Sequence, residues 1–316
     1  MTHTVGIFVQ RRHEADLFWN HCDGPAGRHG DLEFRNSDAK ADTVISFAAP
    51  ICPIDPPRLG RWRRRLAKLT GSLEDLRART AWSQLARPRD HTFAIFYEPP
   101  PAVTDTAYAT AREFCSRVYG PDPRATHPIV LPVTWWLHED VATLRPMEPD
   151  PKPLGLVAIT SGENALPGHR ERLEFLYKLR RANIPFELFG RNIPAHLAPR
   201  GQVMSKSAVL RPARFALVIE NYAEGSQYVT EKLWDALLCW CLPLYWGSTA
   251  ADLLIPAEAM VRLPDLGGDG VEAVRAALAD PGLWERRLGA MREARRRALG
   301  EWRFTEWVRR LIAAGS

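Results

Sequence analysis

The sequence predicts an α/β protein built from two domains of similar size. Three observations carry this reading. Short apolar runs of strand length alternate with helix-like stretches along the chain, the pattern of βαβ units and parallel sheets. A proline-rich break interrupts the alternation near the middle. The length of 316 residues suits two ordinary domains.

In the first half the apolar runs are Thr4–Val9, Thr43–Ala48, Thr92–Tyr97 and Pro128–Trp136, each read as a strand. Arg61–Arg79 reads as a helix with an exposed arginine face. Residues 146–153, PMEPDPKP, hold four prolines in eight positions. Proline excludes helix and sheet interiors, so this segment is the candidate linker. After it, Leu156–Thr160 reads as a strand. Pro167–Ala182 reads as a helix with proline at its start and Leu173, Leu176, Tyr177 and Leu179 on its apolar face. Phe186–Phe189, Phe215–Glu220, Leu242–Trp246 and Met260–Leu263 read as strands. Thr230–Cys239, Gly270–Leu278 and 284–314 read as helices. The domains are expected at 1–148 and 149–283, with a basic helical tail at 284–316 and a ligand-binding cleft between the two domains.

Composition excludes several classes. Hydrophobic residues make up 46% and charged residues 25%, which is globular rather than disordered. No apolar stretch approaches the roughly 20 residues of a membrane span, and residues 1–16 show no secretory signal pattern. The five cysteines, Cys22, Cys52, Cys115, Cys239 and Cys241, are odd in number and form no C-x-x-C pair. A zinc site or a disulfide framework is not expected, and the reading is a reducing, cytoplasmic compartment. The net charge of +5 is localised: residues 284–316 hold nine Arg and four Glu, leaving 33 basic and 33 acidic residues elsewhere. A neutral body argues against nucleic acid as a partner. The basic tail is expected either to pack toward the first domain or to make peripheral contact with an anionic membrane surface.

The segment 215–248, FALVIENYAEGSQYVTEKLWDALLCWCLPLYWGS, carries the most chemistry. A buried strand ends in Glu220 and Asn221, a polar loop follows, and a helix opens near Thr230. Unpaired N–H groups at that helix start favour an anion, and Lys232 adds a full charge. Glu231 is suited to ribose hydroxyls. The same two residues read equally as a solvated helix start. From residue 207 onward there are thirteen Arg and one Lys, Lys232, which hints that a compact ammonium is needed there.

This segment resembles the C-terminal motif of the family 10 glycosyltransferases, the α-1,3/α-1,4-fucosyltransferases. Glu220-Asn221, Tyr228-Val229-Thr230-Glu231-Lys232-Leu233 and Pro243-Leu244-Tyr245-Trp246-Gly247 match in order; Tyr222 departs from the family's Ser or Thr. The resemblance implies a GT-B architecture of two Rossmann-like domains facing across a cleft. It also implies an inverting enzyme that moves fucose from GDP-fucose to a hydroxyl of a glycan, such as lipopolysaccharide or another surface polysaccharide. A diphosphate-binding arginine follows from it, with Arg170 as the best match and Arg172 as the alternative. Asn221, Tyr228, Thr230, Glu231 and Lys232 become the donor-binding set, with Glu220 and Arg191 as further candidates. Glu98, in FAIFYEPPP at 93–101, matches the family's strand-end Glu and is the expected catalytic base. An inverting displacement needs such a carboxylate to take the acceptor proton.

No obligatory metal is expected. No two Asp stand one residue apart, as many metal-dependent glycosyltransferases have them, and a divalent cation is expected at most as a stimulant. No P-loop and no nucleophile elbow occur. The G-x-G-x-x-A at 268–273 lacks a βαβ context and reads as a helix-starting loop. Trp234, Trp240 and Trp246 read as core or cleft-wall aromatics, leaving Trp135 and Trp136 as the candidates to face an acceptor sugar. The alternatives are the same fold with another GDP- or UDP-sugar, and a non-catalytic nucleotide-sugar-binding homologue.

Overall fold

The computed structural model describes residues 2–9, 18–24, 27–36, 38–47, 82, 88–225 and 227–314. The helix expected at 61–79 and Cys52 lie outside them. The chain divides into two compact units, Met1–Leu131 and Pro132–Ser316.

The first unit holds one seven-stranded sheet. Its strands are β1 (His3–Val9), β2 (Arg28–His29), β3 (Leu32–Asn36), β4 (Thr43–Phe47), β5 (Thr92–Ile95), β6 (Arg117–Gly120) and β7 (His127–Pro128), in the order β2-β3-β1-β4-β5-β6-β7. All pairings are parallel except the β2–β3 hairpin at the edge. Val5, Ile7, Phe8 and Val9 are all buried. Such continuous burial marks a strand covered on both faces. Helix α1 (Asp105–Phe114) follows β5 and is capped by Thr104, whose hydroxyl accepts from the Ala107 N–H.

The second unit holds a five-stranded, fully parallel sheet: β8 (Leu154–Ser161), β9 (Glu187–Arg191), β10 (Ala213–Ile219), β11 (Leu242–Trp246) and β12 (Val261–Arg262), in the order β12-β11-β10-β8-β9. Counted within the unit this is the doubly wound order 2-1-3-4-5. The winding reverses between β8 and β10, and the carboxyl ends of those two strands therefore open a crevice. Around the sheet lie α2 (Val141–Leu144), α3 (Pro167–Arg181), α4 (Lys206–Leu210), α5 (Glu231–Leu238), α6 (Ala251–Leu254), α7 (Gly268–Ala279), α8 (Leu283–Leu299) and α9 (Phe304–Ala313). The candidate linker at 146–153 lies within this unit.

Several expectations change. The run Pro128–Trp136 is not one strand. Pro128 and Pro132 lack an N–H, and beyond β7 only Val133 pairs, in a single bridge to Arg303. The helix expected at 284–314 is two helices, α8 and α9. Gly300 caps α8, and a Cβ there would sit 2.9 Å from the Arg296 carbonyl. The buried face of α3 is Arg172, Phe175, Leu176 and Leu179, whereas Tyr177 is 40% exposed. Strand β9 runs through Gly190, whose φ of 141° and approach to the Thr160 carbonyl exclude a side chain. The G-x-G-x-x-A loop does start a helix, α7, with Asp265 Oδ1 accepting from the Gly267 and Gly270 N–H groups. Trp135 is fully buried, which removes it as a sugar-facing ring.

The tail is built into the second unit. Helix α8 packs on α5 and on the turn at Ala257–Ala259. Its Arg286 pairs with Asp280 and its Arg292 with Glu148 at 2.9 Å, so acids outside 284–316 offset part of the excess charge. Among the described residues no helix is long and apolar enough to cross a membrane.

Candidate functional site

Strand β10 delivers Glu220 to the crevice edge with its carboxylate fully buried. A buried carboxylate is tolerated only when it is paired and hydrogen-bonded. Its partners come from the start of α5. The Thr230 N–H donates to Glu220 Oε1 at 2.8 Å, the Thr230 hydroxyl lies 2.8 Å from Oε2, and Lys232 Nζ donates to Oε2 at 3.2 Å. Lys232 also donates to the Thr230 hydroxyl at 2.9 Å. Burial alone would lower the pKa of Lys232, but the carboxylates of Glu220 and Glu231 outweigh it and hold the ammonium above its ordinary value. Thr230 meanwhile serves as N-cap of α5, so one hydroxyl joins the strand end, the helix start and the lysine.

Asn221, next along the chain, receives Arg172 from α3: Nη1 donates to Asn221 Oδ1 at 2.6 Å. Arg172 is 6% exposed. Burial lowers its pKa, opposed chiefly by the Glu220 carboxylate. Its Nε is buried with no partner among the described residues, so the guanidinium has donor capacity left for an incoming acceptor. Gly168 lets α3 come this close. A Cβ there would fall 2.1 Å from the Asn221 carbonyl oxygen. On the other side, a Cβ on Gly247 would fall 2.8 Å from Glu220 Cγ and 2.4 Å from the Tyr245 hydroxyl. Two glycines thus clear the flanks of the Glu220-Asn221 pair.

A cavity opens at the β8–β10 crevice. Its lining includes Thr160, Ile219, Arg172, Lys232, Lys206 and Asp235. Asp235 is buried, and its pKa is raised by burial. It accepts from Lys206 Nζ at 2.5 Å and from the Trp136 N–H at 2.8 Å. Neither Lys206 nor Asp235 was expected from the sequence. The available signal was a carboxylate at position 235 among the otherwise apolar Leu233–Leu238. His169, half-buried near this cluster, has its pKa lowered by burial and then by Arg172.

The predicted residues fall as follows. Glu220, Asn221, Thr230, Glu231, Lys232 and Arg172 converge at the crevice edge, with Glu231 3.5 Å from Lys232. Tyr228 is buried. Arg170 is exposed, and its Nη1 donates to the Asn164 and Ala165 carbonyls. Arg191 is exposed at the end of β9. Glu98 lies in the first unit, exposed, just beyond β5. The grouping at α5 offers an ammonium, a guanidinium and a helix N-terminus to an anion, with an adjacent carboxylate for hydroxyls.

The chain is similar to known proteins in one segment and in its fold. Residues 157–267 match the family model for glycosyltransferase family 10 (fucosyltransferase), C-terminal. An α1,3-fucosyltransferase crystal structure is similar with TM-score 0.51 and 15% identity, covering 90% of this chain and 81% of that one. An α-glucosyltransferase in complex with UDP-glucose and DNA containing an abasic site has TM-score 0.61 at 10% identity, covering 98% and 99%. T4 phage BGT with its UDP-glucose substrate has TM-score 0.53 at 12% identity, covering 98% and 99%. Among curated proteins no sequence matches. The fold is that of the GT-B glycosyltransferases, and the family-model match lies within the second unit.

Proposed function

We propose that this chain is a glycosyltransferase that transfers fucose from GDP-fucose to a hydroxyl of a glycan with inversion at the sugar. One observation carries the reading. The buried Glu220–Thr230–Lys232 cluster and the Arg172–Asn221 pair meet at the β8–β10 switch point, inside the matched family segment. A similar α1,3-fucosyltransferase has been solved with GDP.

In this reading the diphosphate lies at the start of α5. Lys232 has used two of its three donors on Glu220 and Thr230, and the third faces a phosphate oxygen. Arg172 takes the second phosphate contact in preference to Arg170, because its guanidinium is already held at the crevice. Glu231 and Tyr228 bind the nucleoside. Glu98 removes the proton of the acceptor hydroxyl as its oxygen bonds to the anomeric carbon. The bond from that carbon to the phosphate oxygen breaks, and its electron pair leaves with GDP, stabilised by the two cations. This scheme uses the two cationic side chains on the diphosphate, where a divalent cation would act only as a stimulant. The acceptor is a surface glycan or glycolipid in a cytoplasmic setting. Peripheral membrane contact through the tail falls to the arginines left over from its internal ion pairs.

A donor screen tests the proposal. GDP-fucose, other GDP-sugars and UDP-glucose are each incubated with the protein and oligosaccharide acceptors, and nucleotide release is followed. Turnover with GDP-fucose is expected. Turnover with UDP-glucose alone would establish the alternative donor, and binding of no GDP-sugar would reject the reading.

A further inference from the structure

The loop after Glu98 has an unusual difficulty. Pro99, Pro100 and Pro101 follow it directly, and none has an N–H to donate. The loop fastens itself through one tight turn at Pro100–Ala102, in which the Ala102 and Val103 N–H groups donate to the Pro99 and Pro100 carbonyls at 2.8 and 3.2 Å; further fastening needs outside donors.

Arg124 supplies them from across the unit. Nη2 donates to the Pro100 carbonyl at 2.8 Å, and Nη1 donates to the Val103 carbonyl at 2.9 Å and to Asp105 Oδ1 at 2.8 Å. The remaining donors are held by Asp122: Nε to Oδ1 at 2.9 Å and Nη2 to Oδ2 at 2.6 Å. The Arg124 backbone N–H also donates to Asp122 Oδ1 at 2.8 Å, closing the turn that aims the side chain. All five guanidinium N–H groups thus have partners. The guanidinium lies over the Tyr108 ring, 4.8 Å from its centroid. Asp122 is 4% exposed, and Arg124 holds its carboxyl below the usual range.

We infer that Arg124 is a positioning residue for Glu98, fixing the proline loop that carries this carboxylate at the end of β5. The inference rests on the reading of Glu98 as the base. A flat fork with five donors is needed, because an ammonium with three cannot serve two carbonyls and two carboxylates at once. Misplacing a reacting group by about 1 Å costs on the order of a hundredfold in rate.

The test measures GDP release from GDP-fucose with lipopolysaccharide-derived oligosaccharides, alongside GDP affinity by calorimetry. The variants are Arg124→Ala, Arg124→Lys, Asp122→Asn, Glu98→Gln and the double variant Arg124→Ala/Glu98→Gln. Asp122→Asn preserves side-chain shape if Arg124→Ala fails to fold. The expected result is a fall in kcat of at least about tenfold for both Arg124 variants, no rescue by lysine, a smaller fall for Asp122→Asn, and GDP affinity within twofold of the parent. In the Glu98→Gln background, Arg124→Ala should remove nothing further. If Glu98→Gln transfers normally, the base reading fails. If Glu98→Gln loses transfer while Arg124→Ala and Asp122→Asn keep it, or if the two losses multiply, the positioning inference is overturned.

Discussion

Lys232 and Glu220 form an ion pair, 3.2 Å apart, in which the carboxylate is fully buried and the ammonium keeps an exposed edge. The pair joins the end of β10 to the start of α5, so the cation at the crevice is held in place before any ligand arrives. Removing one partner of such a pair leaves the other charge uncompensated, which costs about 3–5 kcal/mol. Lys232→Met is therefore expected to lower the melting temperature clearly and to weaken GDP binding at least tenfold. Glu220→Gln/Lys232→Met should recover most of the stability and none of the affinity. Calorimetric melting with GDP titration of both variants checks this, and recovery of affinity in the double variant would refute a direct phosphate role for Lys232.

The raised pKa of Lys232 has a defined direction. A cation whose folded pKa exceeds its unfolded value of 10.5 contributes stability that is complete below that value and is lost as pH rises through the folded one. The melting temperature of the parent should fall more steeply above pH 10.5 than that of Glu220→Gln/Lys232→Met. Parallel slopes would contradict the pairing.

His169 gives the opposite limb. Its folded pKa is depressed below 6.5 by burial and by Arg172, so the unfolded chain binds the proton more readily. Stability is lost as pH falls below 6.5. His169→Gln is expected to flatten the fall in melting temperature between pH 6.5 and 5.5 relative to the parent.

Gly168 sets the distance between α3 and Asn221. Gly168→Ala places a methyl group 2.1 Å from the Asn221 oxygen, and the backbone must shift at about 1–3 kcal/mol. Arg172 moves with the helix, so GDP affinity should drop together with stability. Gly289 in α8 has nothing within 4 Å of a built Cβ. Gly289→Ala should stabilise by up to about 1 kcal/mol and leave GDP affinity unchanged, separating the steric effect from glycine replacement as such.

Glu98 is exposed in the first unit, outside the crevice residues, and Glu98→Gln keeps its side-chain shape, so GDP affinity should be unchanged. Transfer should fall about a hundredfold or more, measured as product formed at saturating donor.

Much of the second unit was legible because its strands are apolar throughout and its turns carry Gly and Pro. Residues 215–248 were read to their element ends, since β10, α5 and β11 occur there almost as expected. The different burial of Arg170 and Arg172 follows from helical phase. Arg172 stands three and four residues before Phe175 and Leu176, on the buried stripe, and Arg170 stands off it. The sequence alone suggested Leu173 and Tyr177 for that stripe, because it did not say that an arginine would be buried. The Lys206–Asp235 pair was illegible for a related reason: its residues are 29 apart in sequence and only the fold brings them together. The β7 region misled because apolar residues with prolines look strand-like while lacking the donors a strand needs.

Arg295 is 3% exposed and donates to the carbonyls of Leu237, Leu238, Leu144 and Met147, while lying over the Trp240 ring. It thus closes the far end of the helix whose near end holds Thr230 and Lys232. The order of synthesis follows from this. A ribosome that has made every residue of the crevice still holds a nascent chain whose Leu238 carbonyl lacks the Arg295 guanidinium, which arrives only when α8 emerges. Termination between residues 248 and 294 should therefore yield a chain with all the crevice residues and a weaker hold on GDP.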